Sequence, residues 1–280
     1  MKKILLLGHT GKLGVALCKV FKDDFILLGK NSRDFDAFNF DSIETIIRKM
    51  KPDIVINTVA YMGIDPCENN PSRAIKLNAF LPYQLSCMAN QYGFLLIHFS
   101  TDSVFGDDKD GFYTEGDKPN PLNIYGQTKY AGDLFVQSVA QKYYIFRTSI
   151  LFGESRKKNQ FVEKMMEKIR SGARQLSIAD DIICSPSYSM DIALEIKRIV
   201  NSKAEYGLYH VVNAGKASLY DLVFELTRNS GLDVDVKRAS HKDFLSVGRK
   251  NTNTPLASRK NGNLRPWRES IADYLEKSDN

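Results

Sequence analysis

The stretch ILLLGHTGKLG, Ile4 to Gly14, decides the fold. Four consecutive apolar residues read as a buried strand, and helical periodicity resumes from about Leu13 to Phe21. Between them stand Gly8, Gly11 and Gly14 in the spacing GxxGxxG. A glycine trio alone also makes an ordinary tight turn. Placed between a strand and the start of a helix, it has a second use. Backbone N–H groups and the positive end of the helix dipole converge there, and the missing side chains let a phosphate approach closely. That context points to a dinucleotide. Lys2 and Lys3 ahead of the apolar run superficially resemble a secretion signal. The run is too short for one, and glycines stand where a cleavage region belongs, so a first strand is expected.

Outward from this unit the same rhythm repeats. FILL (25–28), DIVINTVA (53–60), FLLIHFS (94–100) and YYIFRTS (143–149) are further strand candidates. Helical segments at 42–51, 71–92 and 124–141 separate them. Continuous apolar strands alternating with helices predict an α/β fold, a Rossmann-like doubly wound parallel sheet with both faces covered. After Gly153 the rhythm loosens. Helices are expected at 160–171, 190–201, 219–230 and 267–277, with one more strand at 207–213. The expected division is a dinucleotide-binding part, 1–152 plus about 190–213, and a smaller C-terminal lobe, 153–189 and 214–280, with no clean linker between them.

Composition narrows the class: 43% apolar, 26% charged, with no internal repeat or low-complexity segment. No apolar run approaches the roughly 18 residues of a membrane span. The net charge of +6 admits nucleic acid as a partner, and Arg156-Lys157-Lys158 is a basic cluster. The cations are otherwise spread along the chain without aromatic interleaving, so attraction of a small polyanion is the simpler reading and no nucleic-acid partner is expected. Cys18, Cys67, Cys87 and Cys184 form no CxxC pair or zinc spacing, which suits buried thiols in a reducing cytoplasm and predicts no metal site. His9 and His98 belong to no metal-spaced set and receive no role. Trp267, the single tryptophan, is expected to anchor the last helix.

An NAD site usually carries a carboxylate about 20 residues beyond the glycine loop. Here LLGKNSR supplies Lys30 and Arg33 instead, and cations suit a 2′-phosphate, which favours NADPH over NADH. Asp36, just beyond, is within reach of an adenine edge. Further on, Tyr125 has Lys129 four residues later, so a helix puts both on one face. An ammonium beside a phenol lowers its pKa by about 1–3 units from about 10, and the pair then passes a proton to or from a carbonyl oxygen. YxxxK alone is a common helix-surface pair; the weight comes from its order after the glycine loop and after the hydroxyl pair Ser100-Thr101 that ends a strand.

This ordered set resembles the extended short-chain dehydrogenase/reductase superfamily. KPDIVINTVAY (51–61), STDSVFG (100–106), NPLNIYGQTKYAGD (120–133), FRTSILFG (146–153) and TPLASRKNGNL (254–264) follow in an order similar to the dTDP-4-dehydrorhamnose reductase family, along nearly the whole chain. The resemblance implies reduction of the 4-keto group of a nucleotide-linked 6-deoxysugar by NADPH or NADH, for cell-surface polysaccharide synthesis. The smaller lobe would bind the sugar nucleotide, and a homodimer is admitted. Carried over, Tyr125 donates the proton, Lys129 lowers its pKa and holds the nicotinamide ribose, and Thr101 hydrogen-bonds the carbonyl oxygen. Cofactor contacts are implied at Gly8, Thr10, Gly11, Lys12, Leu13 and Gly14, then at Lys30, Arg33, Asp36, Ala60 and Ser100, with Tyr125 and Lys129. Substrate contacts are implied at Asp102, Ser103, Ile150 and Arg259. For Asp102 a turn carboxylate capping local backbone is the competing reading.

Several positions depart from the family pattern. Ser103 replaces the usual reductase tyrosine and also the dehydratase glutamate; Ile150 replaces a common tryptophan; Met62-Gly63, 180–187 and Arg259-Lys260 differ as well. The proton-transfer set matches while the sugar-facing positions do not, so the sugar and nucleotide stay open. An epimerase or dehydratase that retains its cofactor, and a non-catalytic regulatory subunit, remain as alternatives.

Overall fold

The computed structural model describes residues 1–155, 160–262 and 264–278; the basic cluster Arg156-Lys157-Lys158 lies outside them. The chain runs β1 (Lys3–Leu7), α1 (Lys12–Phe21), β2 (Ile26–Lys30), α2 (Phe40–Met50), β3 (Ile54–Asn57), α3 (Ile64–Asn69), α4 (Pro71–Ile75), α5 (Leu81–Tyr92), β4 (Leu95–Thr101), α6 (Ile124–Val139) and β5 (Tyr143–Thr148). It continues through α7 (Phe161–Arg170), β6 (Gln175–Ala179), α8 (Ser189–Asn201), β7 (Gly207–His210), α9 (Leu219–Ser230), β8 (Asp235–Ala239) and α10 (Trp267–Ser278), with shorter strands between.

Six strands form one parallel sheet in the order β7-β5-β4-β3-β1-β2. Successive residues of β1 face opposite sides, and both sides are buried. Ile4 and Leu6 join Leu17, Val20, Ile192 and Ile196 under α1 and α8. Leu5 and Leu7 join Ile43, Ile47, Leu81 and Leu85 under α2 and α5. The chain leaves β2 at one edge and returns on the other side of β1 as β3. The carboxyl ends of β1 and β3 therefore make the crevice where an open α/β sheet binds its ligand. A third cluster, with Phe152, Met166, Leu222, Leu226 and Ile271, packs α7, α9 and α10 together. Trp267 sits in it at 1% exposure, the expected anchor.

Some expected elements change. The strand expected over 53–60 covers only Ile54–Asn57, and 58–63 becomes loop beside the crevice, followed by α3, which the sequence had not suggested. The helix expected over 71–92 is broken by a wide turn at Lys76–Phe80. Pro82 has no N–H for the carbonyl of Asn78, and that carbonyl instead faces α6 at Gly132, where a Cβ would lie 2.2 Å from it. The pair β6 and β8, parallel and 60 residues apart in register, was also unexpected. Of the four thiols only Cys67 and Cys184 are buried; Cys18 and Cys87 are half-buried on helix flanks, against the expectation that all four are core residues. Among the described residues no helix is long and apolar enough to cross a membrane.

Candidate active site

At the crevice Gly8 has φ +92°, and a Cβ there would meet Thr58 Oγ1 at 2.4 Å. A Cβ on Gly14 would meet the Gly8 carbonyl oxygen at 2.3 Å. These two glycines let the loop fold back on itself and onto the end of β3. Gly11 is the N-cap of α1 and offers no side-chain cap, so the first-turn N–H groups face the crevice. A cavity of about 640 Å³ opens here, lined by Gly11 to Gly14, Thr58 to Ala60, Ser100, Thr101, Tyr125 and Lys129. A smaller space of about 130 Å³ adjoins it at Gly8, Thr10, Gly11, Asn31, Ser32, Phe35 and Ala37. Ser100 Oγ is buried and has no hydrogen-bond partner. An uncapped helix start at one end and an orphaned hydroxyl along the wall fit an elongated polar, anionic cofactor.

Not every expected contact reaches this space. Lys12 lines it, but its ammonium turns towards α7, donating to Leu151 O at 2.9 Å and Gln160 Oε1 at 2.5 Å and lying 2.9 Å from Glu163 Oε2. It ties α1 to α7. Lys30 lies 3.8 Å from Asp34, Arg33 is exposed, and Asp36 accepts from its own Phe38 N at 2.9 Å. None of these three lines the cavity; Asn31 and Ser32 between them do. Side-chain chemistry drew the reading to the cations, whereas strand geometry aims the next two residues at the opening.

Tyr125 and Lys129 lie one turn apart on α6, whose N-cap Asn123 accepts from Gly126 N at 2.9 Å. Asn123 Nδ2 in turn donates to Arg249 O and Asn251 Oδ1, both at 2.9 Å, so the C-terminal segment fixes the helix start. Thr101, the last residue of β4, hydrogen-bonds Tyr125. Burial pushes the Tyr125 phenol upward, the Thr101 bond working against it. This is the reverse of the lowering expected from YxxxK. Lys129 Nζ is directed at the strand, donating to Phe99 O at 2.5 Å, and does not reach the phenol's charge. Burial brings Lys129 itself down to about 8, with Asp133 opposing.

A second cavity, about 490 Å³, shares Thr101, Tyr125 and Ser149 with the first and adds Asp102, Ser103, Ile150 and Thr254. Asp102 is held chiefly by hydroxyls, with the backbone N–H of its neighbour Ser103 a lesser partner. Its carboxylate accepts from Thr101 Oγ1 at 3.0 Å, Ser149 Oγ at 2.6 Å and Thr254 Oγ1 at 3.2 Å. Burial raises it and these hydroxyls oppose the rise. Ser103 Oγ lies 3.3 Å from Thr101 Oγ1. Arg259 is not at this wall: it is exposed, and its N–H donates to Glu115 Oε2 at 2.9 Å, because Glu115 also gathers His210 N and Ser258 Oγ and ties the tail there. Ser149, Thr254 and Asn123 escaped sequence reasoning because their partners are distant in the chain. Among the described residues no group of three or more His, Cys, Asp or Glu is arranged to hold a metal ion.

A family model for the RmlD substrate binding domain matches residues 1–280. A dTDP-4-dehydrorhamnose reductase of Salmonella typhimurium is 33% identical over 82% of this chain and 79% of its own. The spore coat polysaccharide biosynthesis protein SpsK of Bacillus subtilis is 27% identical over 99% and 98%. A crystal structure of a dTDP-4-dehydrorhamnose reductase from Clostridium acetobutylicum superposes with TM-score 0.92 at 30% identity, covering 99% of this chain and 100% of that one. The Bacillus anthracis enzyme in complex with NADP gives TM-score 0.92 at 27% identity, with 99% of each chain covered.

Proposed function

As the chain belongs to the RmlD substrate binding domain family, we propose that it reduces the 4-keto group of a nucleotide-linked 6-deoxysugar with NADPH or NADH. One observation supports this most: Thr101 and Tyr125 form the common wall of the two cavities. A dinucleotide along the glycine loop and a sugar nucleotide in the second cavity meet at this wall, which Pro66, Ser149 and Phe161 complete. The SpsK relative's role in polysaccharide biosynthesis suggests the same cell-surface destination for the product and a cytoplasmic site of action.

The bound nicotinamide supplies the hydride that reaches the carbonyl carbon. The chain's own groups handle the proton. Tyr125 stays protonated at neutral pH because burial holds its phenol high, so it enters the reaction as an acid and gives its proton to the carbonyl oxygen as charge develops there. The ketone becomes a hydroxyl. Thr101 Oγ1, whose proton rests on Asp102, turns it to the same oxygen and shares the charge. Lys129, brought down to about 8 by its burial, lies one turn from Tyr125 to hold the nicotinamide ribose. Asp102, Ser103 and Ile150 face the sugar. Residues 1–152 with about 190–213 carry the cofactor, and 153–189 with 214–280 close over the substrate.

The test is loss of NADPH absorbance with a panel of dTDP-, UDP-, GDP- and CDP-linked 4-keto-6-deoxysugars. Turnover with one of them is expected; none with any, from protein that binds the cofactor, would refute reduction. Tightly retained NAD⁺ without net consumption would assign an epimerase instead.

A further inference from the structure

Three buried polar side chains on three elements form one chain: Asn57 at the end of β3, His98 on β4 and Lys129 on α6, at 1%, 1% and 3% exposure. Asn57 Nδ2 lies 3.4 Å from His98 Nδ1, and His98 Nε2 lies 3.4 Å from Lys129 Nζ. The polarity of this chain is fixed at its far end. Asn57 Oδ1 accepts from Val59 N at 3.1 Å, so the amide cannot turn over without losing that bond. Its NH₂ group therefore faces the imidazole and only donates. Nδ1 must then be the bare acceptor, and the ring proton sits on Nε2, aimed at Lys129.

An ammonium has three donors and no acceptor. One of those donors is on Phe99 O. A second N–H pointing at the same nitrogen from His98 disfavours the ammonium, whereas the neutral amine accepts it through its lone pair. We infer that His98 is a positioning residue for Lys129: held by Asn57 with its proton on Nε2, it favours the amine form of the lysine and fixes its direction. The inference takes its catalytic meaning from the role proposed for Lys129 above. The other titratable groups here are Asp133 and Tyr125 on α6, Arg147 on β5, paired to Asp133 at 3.0 Å, Asp102 after β4 and Cys67 on α3. Asp133 favours the ammonium and is partly neutralised by Arg147, so His98 and burial act against it. His98 is itself pushed well below its ordinary value by burial and by Lys129, which keeps the ring neutral.

The first test needs no substitution. Long-range ¹⁵N spectra of the wild-type protein distinguish a protonated from a bare ring nitrogen, and His98 is expected with the proton on Nε2; a proton on Nδ1 overturns the inference. The second follows the Lys129 ¹³Cε signal against pH, identified by its loss in Lys129→Arg. His98→Phe removes the N–H, and Asn57→Leu frees the ring to adopt the other tautomer. Both are expected to move the Lys129 titration upward by about one pH unit, the size of one hydrogen bond's preference. An unmoved titration in both variants overturns the inference even if sugar reduction proceeds. Absence of turnover in the wild type would refute the proposed reaction while leaving these spectra unaffected.

Discussion

Gly126→Ala tests whether the contact between α6 and the Thr101 turn sets the chemistry. Gly126 follows Tyr125 in the first turn of α6 and packs on the backbone of Ser103. A Cβ there would stand 2.2 Å from Ser103 O, 3.1 Å from Ser103 C and 3.0 Å from Pro121 Cβ. Carbon–oxygen contacts in proteins sit at about 3.3–3.6 Å, so helix and turn must separate by about 1 Å. The helix cannot yield freely, because Asn123 clamps its start to Arg249 and Asn251. The separation thus falls between Thr101 and Tyr125, and a misplacement of about 1 Å costs about 100-fold in rate, or about 2.7 kcal/mol of barrier. Overpacking should also cost about 1–3 kcal/mol of stability. The assay is kcat/KM by NADPH oxidation, with cofactor affinity by calorimetry and the unfolding midpoint alongside. Gly116→Ala is the control: the nearest atom to its Cβ would be Arg259 Nη1 at 3.8 Å, and its φ is not positive. Wild-type turnover in Gly126→Ala, or an equal loss in Gly116→Ala, would refute the reasoning.

Three further outcomes are expected. Tyr125→Phe should abolish turnover while leaving NADPH affinity near normal; substantial residual kcat would remove Tyr125 from its role as acid. Lys129→Met should lose activity yet be more stable to unfolding at pH 7, by on the order of 1–3 kcal/mol. The folded lysine titrates at about 8 rather than 10.5, so burying the ammonium penalises the fold in full below pH 8, and the penalty fades as pH rises towards 10.5; the variant's advantage should shrink over that window, and a constant difference would contradict it. Glu163→Ala leaves the Lys12 ammonium, pushed down by burial and held up by Glu163, with neutral partners only, and urea unfolding should show a loss of about 3–5 kcal/mol.

Local signals in the sequence carried the regular elements. The helix at 219–230 matches its expected bounds because Ser218 and Asp221 form a capping box and Gly231 ends it at φ 69°. Ile4 to Leu7 read correctly because both faces of a central strand demand apolar residues. The β6–β8 pair was illegible: QLSIA and DVKRA are short and mostly polar, and 60 residues separate their paired positions. At the site, Tyr125 and Lys129 emerged from spacing and Thr101 from the family resemblance, and the three come together around one cavity. What spacing could not supply was direction. Lys12 looked like a phosphate ligand and turns to Glu163; Lys30 and Arg33 flank the cavity that Asn31 and Ser32 line. His98 looked like core filling, and only its two neighbours give it a polarity.

The clamp on α6 also bears on the order in which the molecule matures. Asn123 waits for Arg249, 126 residues later, and Asp102 waits for Thr254, 152 residues later. At translation rates of about 5–20 residues per second, those partners follow about 6–30 s behind. During that interval strands β1 to β5 are all present, while the start of the Tyr125 helix is held only from the N-terminal side, by Glu68 on the Ile124 N–H. A nascent chain is thus able to hold a dinucleotide well before it is able to use one, and competence for the reaction waits for the segment from Arg249 to Thr254.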